Sequence, residues 1–502
     1  MRKPLIIYWS RRDLRIEDNP ALSQAVGVSK ESGIPVLPLF ILEDYMVGAQ
    51  PDAQFGYSSR WFLAQALPEF AKQFKSFAIV RSKAAQYLTR LNEEYALTVF
   101  VNDDVYPDFG AQIEKLRSKG VEVTVCSDAL SVSRDTRTGQ GNVYSVFTPF
   151  KKAVWSSFVS VTPLPRVETH TINYASVDDI PERITPDPLV LWDTFSHKRM
   201  MRVGGHEIDL EALTPAPKLE GWYISEEGAL SRFQRFLEYG CLSSYDTGRD
   251  SLEDDVTLTT HADGVLEGRT SRMSVALAWG LVSSRMLMKR MRDHFAEDFD
   301  NPFSDQVNQG ALTYISELIW REFYRYLFVH NPALMDTEFQ ERFRGTIAWV
   351  PDTDAYERFL SWIKGETGYL VVDAAMRQLA SMGWMHNRAR MIVASVLTKN
   401  LGVDWRWGQE YFRATLIDLD EASNNGGWQW GASVGADPKP IRIFNPELQA
   451  KNYDASGAYQ REWLQKDGSF MKNEIVPIVD HKVAREEALL RYGLKGTIPR
   501  DY

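Results

Sequence analysis

A chain of 502 residues is too long for one ordinary domain, and 44% hydrophobic with 25% charged residues is globular composition with ample core material. The net charge of -10 excludes a protein that holds nucleic acid by overall attraction, though not one with a local basic patch. Two distant cysteines, Cys126 and Cys241, exclude a disulfide framework and a CxxC zinc site, and point to a reducing compartment.

The apolar run near the N-terminus is too short for a signal sequence, and no run approaches membrane-spanning length. A soluble, cytoplasmic protein with no membrane partner is expected, and a monomer. Residues 1–130 alternate short apolar runs (PLIIYWS, IPVLPLFIL, FAIVRS, LTVFVND and VEVTVCS) with helical spacing in SSRWFLAQALPEFAKQF and KAAQYLTRLNEEY. Strands alternating with helices predict a doubly wound α/β parallel sheet, which binds ligands at the carboxyl ends of its strands. The dinucleotide fingerprint GxGxxG is missing from this region: GQG at 139–141 continues as NVY. Residues 131–225 read as a connector, rich in Pro, Thr and Asp beyond about residue 160. Residues 226–502 change to long helical stretches, predicting an all-α domain in which MSVALAWGLVSSRMLMKRMRDHF is one helical run.

Four stretches of this second domain concentrate chemistry. In GRTSRMSVALAWG, Thr270, Ser271 and Ser274 sit where a helix begins, so their hydroxyls either cap it or help hold a phosphate. In ELIWREFYRYL, Glu317, Trp320, Arg321 and Tyr324 share one helical face. In GWMHNRARM, Asn387 and Met391 share a face flanked by Arg388 and Arg390, and His386 reads as structural. In LIDLDEASNNGGWQWGAS, the carboxylates of Asp418, Asp420 and Glu421 crowd together, which is costly unless donors lie among them; Arg390 is a candidate. There Trp428 and Trp430 point to nearly opposite sides of a strand or helix, and the preceding glycines let the backbone approach something closely. With eight histidines, none clustered, acid–base equipment is sparse; no metal site is expected, and any chemistry belongs to a cofactor.

The ordered set WSRRDLRIEDNPAL, SSRWFL, VYSVFTPFKKAVW, TSRMS, ELIWREFYR, GYLVVDAAMRQL, GWMHNRARM, NNGGWQW and RIFNP resembles the cryptochrome/photolyase family of flavoproteins over nearly the whole length, most of all its cyclobutane pyrimidine dimer DNA photolyases. The resemblance implies an α/β antenna domain followed by an all-α FAD-binding domain. It implies that Tyr245, Thr270, Ser271, Arg272, Met273 and Ser274 line the FAD phosphates and neighbouring groups. Arg321, Arg390, Asp418 and Asp420 would surround the cofactor, with Tyr314 and Leu419 beside it, and Asn424 would face the flavin N5 edge. Trp428, Trp405 and Trp349 would form an electron relay from the flavin to solvent. Glu317, Trp320, Asn387, Arg388, Met391 and Trp430 would receive a flipped-out pyrimidine dimer of UV-damaged DNA, and Arg249 would contact a phosphate. The implied activity is light-dependent splitting of the dimer by an electron from photoexcited reduced FAD.

Several positions depart from the family pattern. The 251–268 link is long and acidic, Tyr314 stands where Trp is common, and Leu419 and Glu421 interrupt the usual DGDLASNN. Glu421 is expected to bear on flavin redox poise. The segment from Leu464 to Pro477 is short, and Phe109 stands where folate-binding members carry an acid, so a second antenna chromophore (methenyltetrahydrofolate, a deazaflavin or another flavin) is left open. The main alternative is a cryptochrome-type blue-light receptor. The paired histidines of a (6-4) photolyase are not matched, since Asn387 follows His386.

Overall fold

The computed structural model describes residues 2–48, 54–177, 180, 182–256, 269–295, 308–436, 441–465 and 476–494. The 257–268 part of the acidic link and most of the Leu464–Pro477 segment lie outside the described residues.

The five apolar runs of the first domain are strands β1 (Lys3–Ser10), β2 (Val36–Leu42), β3 (Ala78–Arg81), β4 (Tyr95–Asn102) and β5 (Glu122–Cys126). They pair in parallel in the order β3-β2-β1-β4-β5. Register sets Ile7 between Leu37 and Val99. Side chains alternate across the pleat, so Ile6 and Tyr8 enter one core while Leu5, Ile7 and Trp9 enter the other. Both faces are buried, which is why these strands are continuously apolar. Helices Tyr57–Ala71 and Ala84–Glu94 fall where the spacing predicts them. Helices Pro20–Ser32 and Pro107–Ser118 complete the crossovers. The first carried a legible start signal: Asn19 accepts from the Leu22 N–H at 3.1 Å, Pro20 follows, and Gly33 ends the helix at φ 75°.

The connector is more ordered than its composition suggests. Phe147–Ser160 is a helix, and Met200–Val203 pairs with His206–Asp209 in an antiparallel hairpin. A β-carbon on Gly204 would fall within the Trp407 ring, so the hairpin lies directly on the helical domain.

The long run from Met273 does not form one helix. Ser274–Trp279 ends at Gly280, whose φ is 65°, and Ser284–Phe295 starts anew. The cause is tertiary: Gly280 lies against the Arg12 carbonyl at the carboxyl end of β1, where a side chain would collide with backbone. Arg15 and Arg285 also converge on Asp128 at 2.6 and 2.5 Å, and Arg285 reaches Asp18 at 2.7 Å. Burial would raise the Asp128 carboxyl, but the two arginines outweigh it and hold it at about 2.

Among the described residues, no helix is long and apolar enough to cross a membrane.

Candidate functional site

Four segments of the helical domain line an open cavity of about 520 Å³, within the size range of cofactor sites. The Gln309–His330 helix contributes Glu317, Trp320, Arg321 and Tyr324, the face its spacing marked, together with Tyr314. The Asn387–Ser395 helix contributes Asn387, Arg390 and Met391, and the Glu421–Gly431 helix contributes Asn424, Gly427, Trp428 and Trp430. The loop before Ser274 contributes Thr270, Ser271, Arg272 and Met273, with Ser274 itself and Tyr245 beside them.

Each segment is held in place. Arg232 donates to the Thr270 and Ser271 carbonyls at 3.2 and 3.3 Å, Tyr223 donates to the Arg272 carbonyl, and the Ser271 and Tyr314 hydroxyls are 2.9 Å apart. Arg272 is thereby kept at φ 54°, a conformation uncommon for a residue with a side chain. Met273 occupies the cap of the short helix without a side-chain hydrogen bond, so Thr270 is not consumed in capping. Gly431 meets Ala394, which lets two walls of the cavity approach closely.

The three crowded carboxylates do find donors, a different one each. Asp418 takes Arg390 at 2.7 Å; Asp420 takes Arg325 at 2.7 Å and Arg321 at 3.5 Å; Glu421 takes Arg413 at 2.7 Å. Burial opposes ionisation of Asp420, but Arg325 and Arg321 overcome it and keep the carboxyl well below its ordinary value. Arg321 is pushed down to about 10, by burial and then by Arg325. Glu421 lines a separate crevice and is neutralised by Arg413, so its expected bearing on the cavity is weakened.

The two tryptophans of the NNGGWQW stretch take different surroundings. Trp428 is buried against Phe412 at 5.0 Å and Trp362 at 6.0 Å, and its ring lies over Gly408. Trp430 is half-buried, with the Arg442 guanidinium 4.9 Å from its ring centre. Both border the cavity. The glycines are helical, and they differ. A β-carbon on Gly426 would enter the Tyr324 ring, whereas Gly427 faces open space on the cavity wall. Trp320 is stacked on Phe147 of the connector helix at 3.6 Å and 7°.

Some expected residues stand elsewhere. Leu419 is buried in the core, with its carbonyl accepting from Arg12 at 3.2 Å, and it is not among the residues bordering the cavity. Arg388 sits outside the cavity lining, its fork on Asp250 at 2.7 and 3.2 Å and its guanidinium 4.3 Å from the Tyr453 ring centre. Arg249, by contrast, does border the cavity, ion-paired there with Glu317. Trp405 is fully buried under Arg406 at 4.7 Å, and Trp349 is 6.1 Å from Tyr492. Residues not singled out beforehand also line the cavity: Asp250, Trp384, Phe412 and Ser423, together with His386, which was read as structural. His386 does cap its helix, accepting from the Arg388 N–H at 3.1 Å. Trp384 donates to Ser274 at 3.2 Å and lies 4.7 Å from the Arg272 guanidinium; its position inside the GWMHNRARM stretch was the available signal.

Residues 314–488 match the FAD binding domain of DNA photolyase, and residues 6–168 match DNA photolyase. A deoxyribodipyrimidine photo-lyase of Synechococcus sp. is 33% identical over 94% of this chain and 91% of its own. The chain belongs to the DNA photolyase/cryptochrome family. A second deoxyribodipyrimidine photo-lyase, from Vibrio cholerae, is 31% identical over 97% of this chain and 98% of its own. A crystal structure of a class III photolyase from Agrobacterium tumefaciens superposes with a TM-score of 0.76 at 30% identity, covering 98% of both chains. A Synechocystis cryptochrome shares the fold at TM-score 0.76 and 23% identity, covering 97% of this chain and 99% of its own.

The residues of this photolyase-family chain fit FAD. Thr270 Oγ1, Asp418 Oδ1, Asn424 Oδ1 and Trp428 Nε1 are buried on cavity-lining residues and have no hydrogen-bond partner within the chain. A buried polar atom left so costs about 1–3 kcal/mol, so this wall is built for a polar ligand. A second crevice lies at the carboxyl ends of β1 and β4, the switch point of the sheet. There Arg11 lies over Trp9 and Phe109 at 5.2 and 5.1 Å, and Arg12 over Phe55 and Tyr106 at 5.0 Å each.

Proposed function

We propose that this protein repairs UV-damaged DNA by splitting cyclobutane pyrimidine dimers in light. The observation that carries this is that Glu317, Trp320, Asn387, Met391 and Trp430 border the same cavity as Thr270, Arg390, Asp418 and Asn424. Residues suited to a lesion and residues suited to a flavin thus border one open cavity. Bound FAD, when reduced and photoexcited, supplies the electron.

The chain's own residues do the rest. Trp320 and Trp430 offer aromatic faces for the two unstacked bases, a contact that reads shape and not sequence. Phe147, stacked on Trp320, fixes the plane of that ring. Glu317 accepts hydrogen bonds from the base edges. Asn424 donates its amide to the Gln409 carbonyl at 3.1 Å, which turns its Oδ1 toward the cofactor space. The Arg390–Asp418 pair, which borders the cavity, would present one fixed dipole to a bound flavin. Trp428, Trp405 and Trp349 would serve as oxidisable indoles between the surface and the cofactor. A second chromophore, sited in the crevice of Arg11 and Arg12, would have to displace one of these guanidiniums from its rings.

The test is light-dependent repair of a duplex carrying one thymine dimer by purified, prereduced protein. Dimer loss in light and not in darkness is expected. A dimer that persists under illumination, with FAD bound, would overturn repair and leave light sensing.

A further inference from the structure

The two arginines at the cavity mouth that would meet a DNA backbone are each already engaged by a carboxylate. Arg388 turns its Nε and Nη2 to the two oxygens of Asp250, at 3.2 and 2.7 Å. This is the bidentate geometry with which a guanidinium grips a phosphate. Tyr453 covers one face of the same guanidinium at 4.3 Å, so its fork stays aimed at Asp250. Arg249 is paired with Glu317, and the adjacent Asp250 adds to the negative field around it. Asp250 and Glu317 keep 28% and 33% of their side chains exposed, and Arg388 and Arg249 keep 12% and 29%, so both pairs are reached from solvent through the carboxylate that covers the arginine.

We propose that Asp250, with Glu317, acts as an internal phosphate mimic that masks Arg388 and Arg249 in the free protein and so suppresses binding to undamaged DNA. The proposal rests on reading the cavity as a DNA-lesion site. A phosphate arriving at Arg388 must replace a carboxylate of matching charge and shape, so the exchange gains little. With a total charge of -10, the chain offers no bulk attraction to compensate. Stable docking then depends on what enters the cavity, where stacking on aromatic rings is additional. Asp250 is thereby a specificity-determining residue that acts through Arg388.

The experiment measures the affinity of the full-length protein for an undamaged duplex, by fluorescence anisotropy over a series of salt concentrations. Asp250→Asn keeps the shape and removes the charge. It should bind undamaged DNA about 3- to 10-fold more tightly, with a salt slope steeper by about 0.9, one extra phosphate contact. Asp250→Glu should stay within about twofold of the parent. Adding Arg388→Gln to Asp250→Asn should cancel the gain. If Asp250 merely positions Arg388, the Asn variant binds more weakly, and the proposal is overturned. It is equally overturned by an unchanged affinity, by a gain that survives Arg388→Gln, or by no DNA binding in either protein. Should Asp250→Asn melt well below the parent, Asp250→Ser carries the same comparison. Failure of the parent to prefer a dimer-bearing duplex would sink the repair reading instead, while the undamaged-DNA comparison would still decide the mask.

Discussion

Gly427 offers a substitution whose two effects should have opposite signs. It lies inside the Glu421–Gly431 helix, and a β-carbon built there meets nothing within 4 Å. Replacing it with alanine removes backbone freedom from the unfolded chain and strains nothing, so the flavin-free protein should gain about 0.5–1 kcal/mol. The methyl group nevertheless projects into the cavity that is to hold FAD. Gly427→Leu extends that intrusion and should weaken FAD binding at least tenfold, about 1.4 kcal/mol. Gly426→Ala is the contrast. Its methyl would enter the Tyr324 ring, and overpacking of about 1–3 kcal/mol outweighs a helix gain of about 1. Denaturant unfolding of the flavin-free proteins reads the first effect, and quenching of FAD fluorescence on titration reads the second. If Gly427→Leu takes up FAD as tightly as the parent, the flavin does not lie against this helix.

Trp349→Phe should slow photoreduction of oxidised FAD several-fold while repair by prereduced enzyme stays close to the parent; equal loss of both would remove Trp349 from the relay. Glu317→Ala should lower the yield of dimer splitting at least tenfold while FAD content, read from visible absorbance, stays near the parent; an unchanged yield would strip Glu317 of its role. Asp128 is held at about 2 in the folded chain, below its unfolded value, so the folded state binds fewer protons there. Its stabilisation, about 2 kcal/mol, is complete above roughly pH 4 and lost as pH falls toward 2. Asp128→Asn should flatten that part of the stability–pH curve and lower stability at neutral pH by about 3 kcal/mol, since Arg15 and Arg285 lose a shared partner; a variant with the parent's acid unfolding profile would contradict this.

What the sequence determined by itself is whatever repeats locally. Continuous apolar runs separated by amphipathic ones specify a parallel sheet, because only strands buried on both faces lack polar alternation. Glu317, Trp320, Arg321 and Tyr324 fall on one helical face by spacing alone, and that face does line the cavity. The crowding of Asp418, Asp420 and Glu421 announced that donors must be near, without naming them. Arg413, eight residues before Glu421, and Arg325, ninety-five before Asp420, are chosen by how helices cross. The break at Gly280 is set by an approach to Arg12, far away in the chain. The pairing of Arg249 with Glu317 and of Arg388 with Asp250 follows the same logic. Periodicity fixes which side of an element faces inward. Only the packed fold fixes which opposite charge waits there, because that choice depends on distances between segments that share no local signal.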